Sequence, residues 1–314
     1  MSVSVPSPHS NERRVAVITG ANRGLGLATA RKLLTTGHRV VLAVRDLAAG
    51  RTTAARLRDE VPDADVDAME IDLASVSSVR DFARAFRATR SPLHLLVLNA
   101  GLIAPETLRT TDEGLELQLA TNHLGHFALT TELRDLLVRS APGRVVVVSS
   151  TMHIPGTGPG KGPDFDYANL GGQKYYDPMV FYQSSKLANV WFTYAMARRL
   201  EGTGVTVNAV CPGFVPETAV PKATGLQRVL FRWVFPLLPQ ARTVDQGASG
   251  IAWVCDAPEL EDVTGKFFTD RHERRSSDES YDVEKQERLF RESEAWVAEA
   301  LARADWARGG QLLA

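Results

Sequence analysis

Six apolar runs, each short enough to be one buried strand, recur at residues 15–19, 39–44, 66–71, 93–98, 144–149 and 204–210, and a segment of helical character follows each of them. Strands that read as continuous Val/Ile/Leu stretches are covered on both faces. Alternating with helices, they build a parallel sheet in which each crossover packs a helix on one side or the other. A seventh strand is expected at Gly265 to Thr269, so the fold class is α/β, a doubly wound parallel sheet of about seven strands. At 314 residues the chain could hold one large domain or two small ones. No internal repeat or linker-like composition divides it, so a single domain is expected over 13–307. Two irregular excursions interrupt the alternation. The first, at 154–180, contains "IPGTGPGKGPDFDYANLGG", and the second, at 215–240, contains "LQRVLFRWVFPLLP". A charged amphipathic helix is expected from about Asp282 to Ala307, then a weak tail at 308–314. Residues 1–12, with Pro6, Pro8 and several serines, read as a disordered lead-in without the apolar core of a signal peptide or anchor.

Composition narrows the partners. A formal charge of −1 argues against nucleic acid, whose phosphates call for a cationic face. Two cysteines, Cys211 and Cys255, are too few for a disulfide framework and lack metal-ligand spacing, which suits a reducing, cytoplasmic setting. No run approaches 18 apolar residues, so no integral membrane segment is expected.

The first strand empties into "TGANRGLG", residues 19–26, where Gly20, Gly24 and Gly26 open a strand-to-helix turn. Bare backbone at such a turn lets N–H groups approach a pyrophosphate at a helix N-terminus; tight packing alone also accounts for glycines there. The second strand ends "RVVLAVRD". A site for NAD wants a carboxylate at that end, whereas a site for NADP wants cations for the 2′-phosphate. Val44 stands at the acid's place and Arg45 follows, with Arg23 in the glycine turn, so the cofactor expected is NADP(H); a solvated Arg45 paired with Asp46 is the plain alternative. In "FYQSSKLANVWF" Tyr182 and Lys186 stand four apart, on one face of a helix. An ammonium beside a phenol lowers its pKa toward neutrality and makes it a proton donor or acceptor.

The spacing Gly-x-x-x-Gly-x-Gly, with Thr19 before it and Asn22-Arg23 inside it, resembles the short-chain dehydrogenase/reductase family, and the resemblance runs from residue 13 to about 298. It implies a Rossmann-type fold, hydride transfer with a nicotinamide cofactor, and a catalytic set of Asn122, Ser150, Tyr182 and Lys186. In that pattern Ser150, the second serine of "GRVVVVSS", binds the substrate oxygen, and Asn122 of "LATNHLGHF" supports a water linking Lys186 to the proton relay. An asparagine at a buried helix bend is a reading that fits alongside. The implied cofactor contacts are Gly20, Asn22, Arg23, Gly24, Leu25 and Gly26 in the turn, Arg45, and Asp72 with Leu73 in "EIDLAS". Asn99, Ala100 and Gly101 of "LNAG" follow, together with Tyr182, Lys186, and Pro212, Gly213, Val215 and Thr218 in and after "CPGF". Asp72 could instead cap the helix beginning near Ser75. "TNHLGHF", "QSSKLANV" and "GKFFTD…SSDESYD" look like the branch holding retinol dehydrogenases and light-dependent protochlorophyllide reductases. Ala188, Leu98 and Gly101 depart from the residues expected of the latter, and no anchor of the kind typical of the former is expected.

The reaction expected is reversible hydride transfer between NADP(H) and a carbonyl or secondary alcohol, in the direction of ketone reduction. The rivals are reduction of an activated C=C bond and a non-catalytic NADP(H) sensor. The Gly/Pro-rich loop should wall the pocket on one side and "VLFRWVFPLLP" should form a lid on the other, which suggests a bulky lipophilic substrate. That lid could equally pack on its own protein, on a second subunit of a homodimer, or on a membrane surface beside Arg228, Arg232 and Trp233. His123, His126 and His153 are expected in packing and not around a metal. "DRHERRSS" is read as a solvated loop and Cys211 as a small buried hydrophobe.

Overall fold

The computed structural model describes residues 13–103, 107–218 and 230–311. The expected lead-in and the end of the expected tail lie outside them. All six apolar runs form strands: β1 Val15–Thr19, β2 Arg39–Val44, β3 Asp65–Glu70, β4 Leu95–Leu98, β5 Gly143–Val148 and β6 Val205–Cys211. β7, Phe267–Thr269, is the seventh. An eighth, β8 at His272–Glu273, closes the edge antiparallel to β7. Two polar residues carry no apolar signal, and the turn before them uses Asp270 and Arg271 at φ +52° and +60° where a glycine would have announced a hairpin.

The sheet order is β3-β2-β1-β4-β5-β6-β7-β8, so the chain leaves β1 toward one edge and returns to β4 on its other side. A crevice opens outside the carboxyl ends of strands at such a reversal, between β1 and β4. Register makes the two faces two cores. Val41, Val17, Leu96, Val145 and Val207 line up across five strands and pack under α3 (Val76–Ala88), α5 (Gly125–Arg139) and α6 (Pro178–Arg199). The next row, with Leu42, Ile18, Val97 and Val146, faces α1 (Gly24–Thr35), α2 (Leu47–Glu60) and α7 (Val244–Asp256). A short helix, α4 (Leu117–Leu119), leads through a π-helical turn at Ala120–Leu124 into α5.

The terminal helix α8, Val283–Gln311, continues past Ala307 into the first residues of the expected tail. Its Leu289 packs on Leu187 and Trp191 of α6, and its Phe290 ring meets Phe127 at 4.9 Å. α6 is thereby enclosed, with nearly every residue from Val180 to Ala197 buried, so it shows none of the one-sided patterning of a surface helix. No helix of the described residues is long and apolar enough to cross a membrane.

Candidate active site

The glycine turn sits at the β1–β4 crevice. Gly20 has φ +66°, open to glycine at no cost. A Cβ on Gly26 would lie 2.5 Å from both the Asn99 amide nitrogen and the Gly20 carbonyl, so this glycine is required for packing. Gly24 also has a positive φ, but only Thr218 Cγ2, at 3.8 Å, comes near a Cβ there. The packing and cofactor readings therefore divide between neighbouring glycines. α1 starts at Gly24 with no side-chain cap and no acid in its first turn, leaving its first N–H groups to an anion such as a pyrophosphate. Asn22 is half-buried, and Leu25 packs into the core beneath α7.

At the end of β2, Val44 is buried beneath Gly50 of α2, and the residue presented at the surface is Arg45. Arg45 makes no ion pair with a described residue. The alternative pairing with Asp46 does not form, because Asp46 caps α2 through the Ala49 N–H, at 2.9 Å. Arg23 is exposed as well. Asp72 does not cap α3, a place taken by Ser75; its carboxylate accepts from Ala74 N–H at 3.0 Å. Leu73 is buried with its carbonyl pressed against Gly125, a glycine that sequence reasoning did not single out and whose only signal was its place in "TNHLGHF".

Thr19 ties β1 to the loop after β4. Its hydroxyl oxygen accepts the Asn99 and Ala100 N–H groups at 2.9 and 3.0 Å and lies 2.9 Å from His126 Nε2. His126 Nδ1 is 3.1 Å from the Asn122 carbonyl, which only accepts, so the ring carries its proton on Nδ1 and takes the Thr19 proton on Nε2. Burial pushes the His126 pKa down to about 3, in keeping with a neutral ring. Asn122 stands in the π-helical turn, at the bend read from the sequence. Its amide donates to the Leu102 carbonyl and Ser185 Oγ and accepts from the Leu102 N–H, so the side chain is committed to bracing the chain after β4. A Cβ on Gly101 would lie 3.5 Å from both Asn122 Oδ1 and Lys186 Nζ, which fixes these three positions together.

α6 begins at Pro178 behind Asp177, whose carboxylate caps the Met179 and Val180 N–H groups, and this start sets Tyr182 and Lys186 one turn apart facing the end of β5. The Ser150 side chain lies close enough to the Tyr182 phenol to favour its ionised form. Lys186 Nζ donates to the Val148 carbonyl at 3.1 Å and lies over the Tyr182 ring, 5.6 Å from its centroid. The phenol is raised, in place of the lowering expected from the ammonium. Desolvation raises the Tyr182 pKa to about 12, the Cys211 sulfur adds to the rise, and Ser150 only partly offsets it. Ser150 Oγ also accepts the Met152 N–H at 3.2 Å.

Pro212 and Gly213 follow β6, with Gly213 at φ +82°. Cys211 is buried as expected, yet its sulfur accepts the Thr151 and Gly213 N–H groups at 3.3 and 3.4 Å and so joins the Ser150 turn to the Pro-Gly turn. Val215 is buried against Gly247 of α7, and Thr218 is exposed beside Gly24. Of the second excursion, 219–229, including Arg228, lies outside the described residues. From Leu230 the chain makes a π turn to Val234 and a 3-10 turn to Leu237, since Pro236 and Pro239 allow no continuous helix. Trp233 and Leu237 are exposed, 65% and 82%. The first excursion divides: Gly158 lies beside Met152 and Gln183 near the site, whereas Phe165 packs outward on Trp191 with ring centroids 5.7 Å apart.

No group of three or more potential metal ligands lies together among the described residues. His123 packs away from the cofactor crevice, against Phe127 and Phe192, with Nε2 3.0 Å from Ser293 of α8. The run "DRHERRSS" is solvated from Asp270 to Arg275, but Ser276 and Ser277 are buried.

The matches to other proteins agree with this arrangement. A sequence profile described as short chain dehydrogenase matches residues 14–157 and 168–228. Retinol dehydrogenase 12 of Mus musculus is 40% identical over 257 residues, 82% of this chain and 78% of its own. Retinol dehydrogenase 13 of Mus musculus is 37% identical, covering 97% of this chain and 90% of its own. The WW domain-containing oxidoreductase of Homo sapiens is 38% identical, covering 92% and 69%. Among solved structures, an uncharacterized protein from Mycobacterium Paratuberculosis superposes with TM-score 0.69 at 31% identity, covering 91% of this chain and 93% of that one. The RhlG/NADP complex of Pseudomonas aeruginosa superposes with TM-score 0.61 at 25% identity, covering 83% and 95%. A glycine turn at the sheet's reversal, a Tyr-Lys helix facing the strand that leads to Ser150, and a profile match over both halves of the sheet give one conclusion: the chain belongs to the short-chain dehydrogenase family and is an oxidoreductase related to the retinol dehydrogenases.

Proposed function

We propose that the protein is an NADP(H)-dependent reductase of carbonyl groups on bulky lipophilic substrates, with Tyr182 as proton donor, Ser150 as the ligand of the substrate oxygen, and Lys186 and Asn122 as their support. The observation that carries this reading is the Tyr182–Ser150 pair, with the phenol pushed up to about 12. A phenol with that pKa is protonated at neutral pH, the state an acid needs when a carbonyl becomes an alkoxide. Bound NADPH supplies the hydride. Tyr182 delivers a proton to the oxygen while Ser150, freed from Tyr182 as the substrate enters, donates to that oxygen and fixes its place. Lys186 is anchored on the Val148 carbonyl beside Gly101, where ribose hydroxyls are expected, and its charge stabilises the phenolate left behind. Exposed Arg23 and Arg45 support the choice of NADP(H) over NAD(H).

The lipophilic substrate is supported by Phe214, whose ring lies 6.1 Å from that of Phe235, and by the exposed Trp233 and Leu237 beyond it. The names of the relatives make retinal a sensible first probe. Two buried free thiols suit the cytoplasm. Tyr182→Phe should lower carbonyl-dependent NADPH oxidation at 340 nm by at least a hundredfold while leaving the NADPH dissociation constant within threefold. Near wild-type turnover in that variant would remove Tyr182 from the role, and product analysis separates C=O from C=C reduction.

A further inference from the structure

His153 is fully buried at the end of the 3-10 turn that follows Ser150, with its ring edge-on to Phe267 of β7 at 5.0 Å. Its Nδ1 lies 2.5 Å from the Ser150 carbonyl, and its Nε2 lies 3.2 Å from the Ser277 main-chain nitrogen. A main-chain N–H only donates and a carbonyl only accepts. Nε2 must therefore be bare, Nδ1 must carry the proton, and the ring must be neutral. The Ser150 carbonyl takes a second bond from the His153 N–H at 3.3 Å, and the Ser150 hydroxyl takes the Met152 N–H. Ser150 is thus gripped on its main chain by one imidazole whose far side is fastened to the segment after β8.

That segment is itself locked. Ser276 Oγ lies 2.6 Å from both Tyr194 Oη and Ser280 Oγ, and Ser280 Oγ donates to the Ser277 carbonyl. A buried serine chain on the α6 side therefore ends at His153. We propose that His153 is a positioning residue for Ser150: a neutral Nδ1–H imidazole that aims the serine hydroxyl by holding its carbonyl against the Ser277 N–H. The inference rests on the reading of Ser150 as the ligand of the substrate oxygen.

Two measurements on the full chain test it. Long-range ¹H–¹⁵N correlation spectra of the ¹⁵N-histidine-labelled protein, with His153 assigned by substitution, should show a protonated Nδ1 and a bare Nε2. A protonated Nε2 overturns the proposal whatever the enzyme does. In turnover, with retinal or the best lipophilic ketone as probe, His153→Phe keeps the ring and removes both bonds; it should lower kcat at least tenfold with the NADPH dissociation constant within twofold. In a Ser150→Ala background the same change should alter kcat less than twofold, because the group it aims is gone. An equal loss in both backgrounds makes His153 merely structural and overturns the proposal. His153→Asn places an amide N–H where Nδ1 stood and should recover most of the loss, whereas His153→Gln should not; this pair decides the matter if the Phe variant fails to fold. Wild-type turnover in Ser150→Ala alone would sink the reading of Ser150 and leave the tautomer result standing.

Discussion

Under the proposed NADP(H) dependence, cofactor choice turns on Arg45. It is exposed and without an ion pair among the described residues, at the carboxyl end of β2, while its neighbour Val44 is spent on packing α2. Arg45→Glu removes charge-assisted bonds to a 2′-phosphate and adds repulsion, so NADPH should bind at least tenfold more weakly, about 1.4 kcal/mol, with NADH changed less than threefold. Fluorescence titration with both nucleotides checks this, and an unchanged ratio would return the choice to Arg23 or elsewhere. At this scale the chain was legible where chemistry depends on residue type and short spacing. Tyr182, Lys186 and Ser150 come together as expected. The direction in which Tyr182 titrates was not legible, because it depends chiefly on how deeply the folded chain buries the phenol.

Among the elements, α6 and α8 determine whether the site stays in place. α8 buries Leu289 and Phe290 against the outer faces of α6 and α5, with the Arg199 guanidinium 3.6 Å from the Phe290 ring centroid. Phe290→Ala opens a cavity between Phe127 and Arg199 and should cost about 3–5 kcal/mol in unfolding free energy by urea titration. A cost under about 1 kcal/mol would mean that α8 contributes little to the core. The helices were legible from their periodicity and the parallel strands from their apolar runs. The π turn at Ala120–Leu124 was not, since nothing in "ATNHL" separates it from an α-helical turn. Nor was β8, whose turn uses Asp270 and Arg271 in a conformation glycine prefers.

For the whole molecule, burial of histidines writes a pH dependence into stability. His123 is pushed down to about 4 and His126 to about 3, and His153 is also lowered, all chiefly by desolvation. The fold prefers these rings neutral. Their effect is nil above about pH 6.5, where the unfolded chain is neutral too, and grows destabilising as pH falls from there toward 4 while only the unfolded chain takes up protons. Each contributes up to about 1.4 kcal/mol per pH unit in that window. Glu116, whose carboxyl is raised by burial, works in the opposite sense and offsets part of it. The urea midpoint should therefore fall steadily from pH 7 to pH 5, and less steeply in His123→Gln; a flat midpoint over that range contradicts the assignment of neutral rings.

By itself, the sequence determined the alternation of strand and helix, the glycine turn, and the residues proposed to carry the chemistry, because each depends on side-chain type and on spacing within a few residues. Tertiary structure alone decided what those groups face. Thr19 meets His126 across 107 positions and His153 meets Ser277 across 124, and contacts of that span follow only from the order in which the strands are laid into the sheet. That order also divides the glycines between packing and approach, since Gly26 meets Asn99 only because β4 lies beside β1.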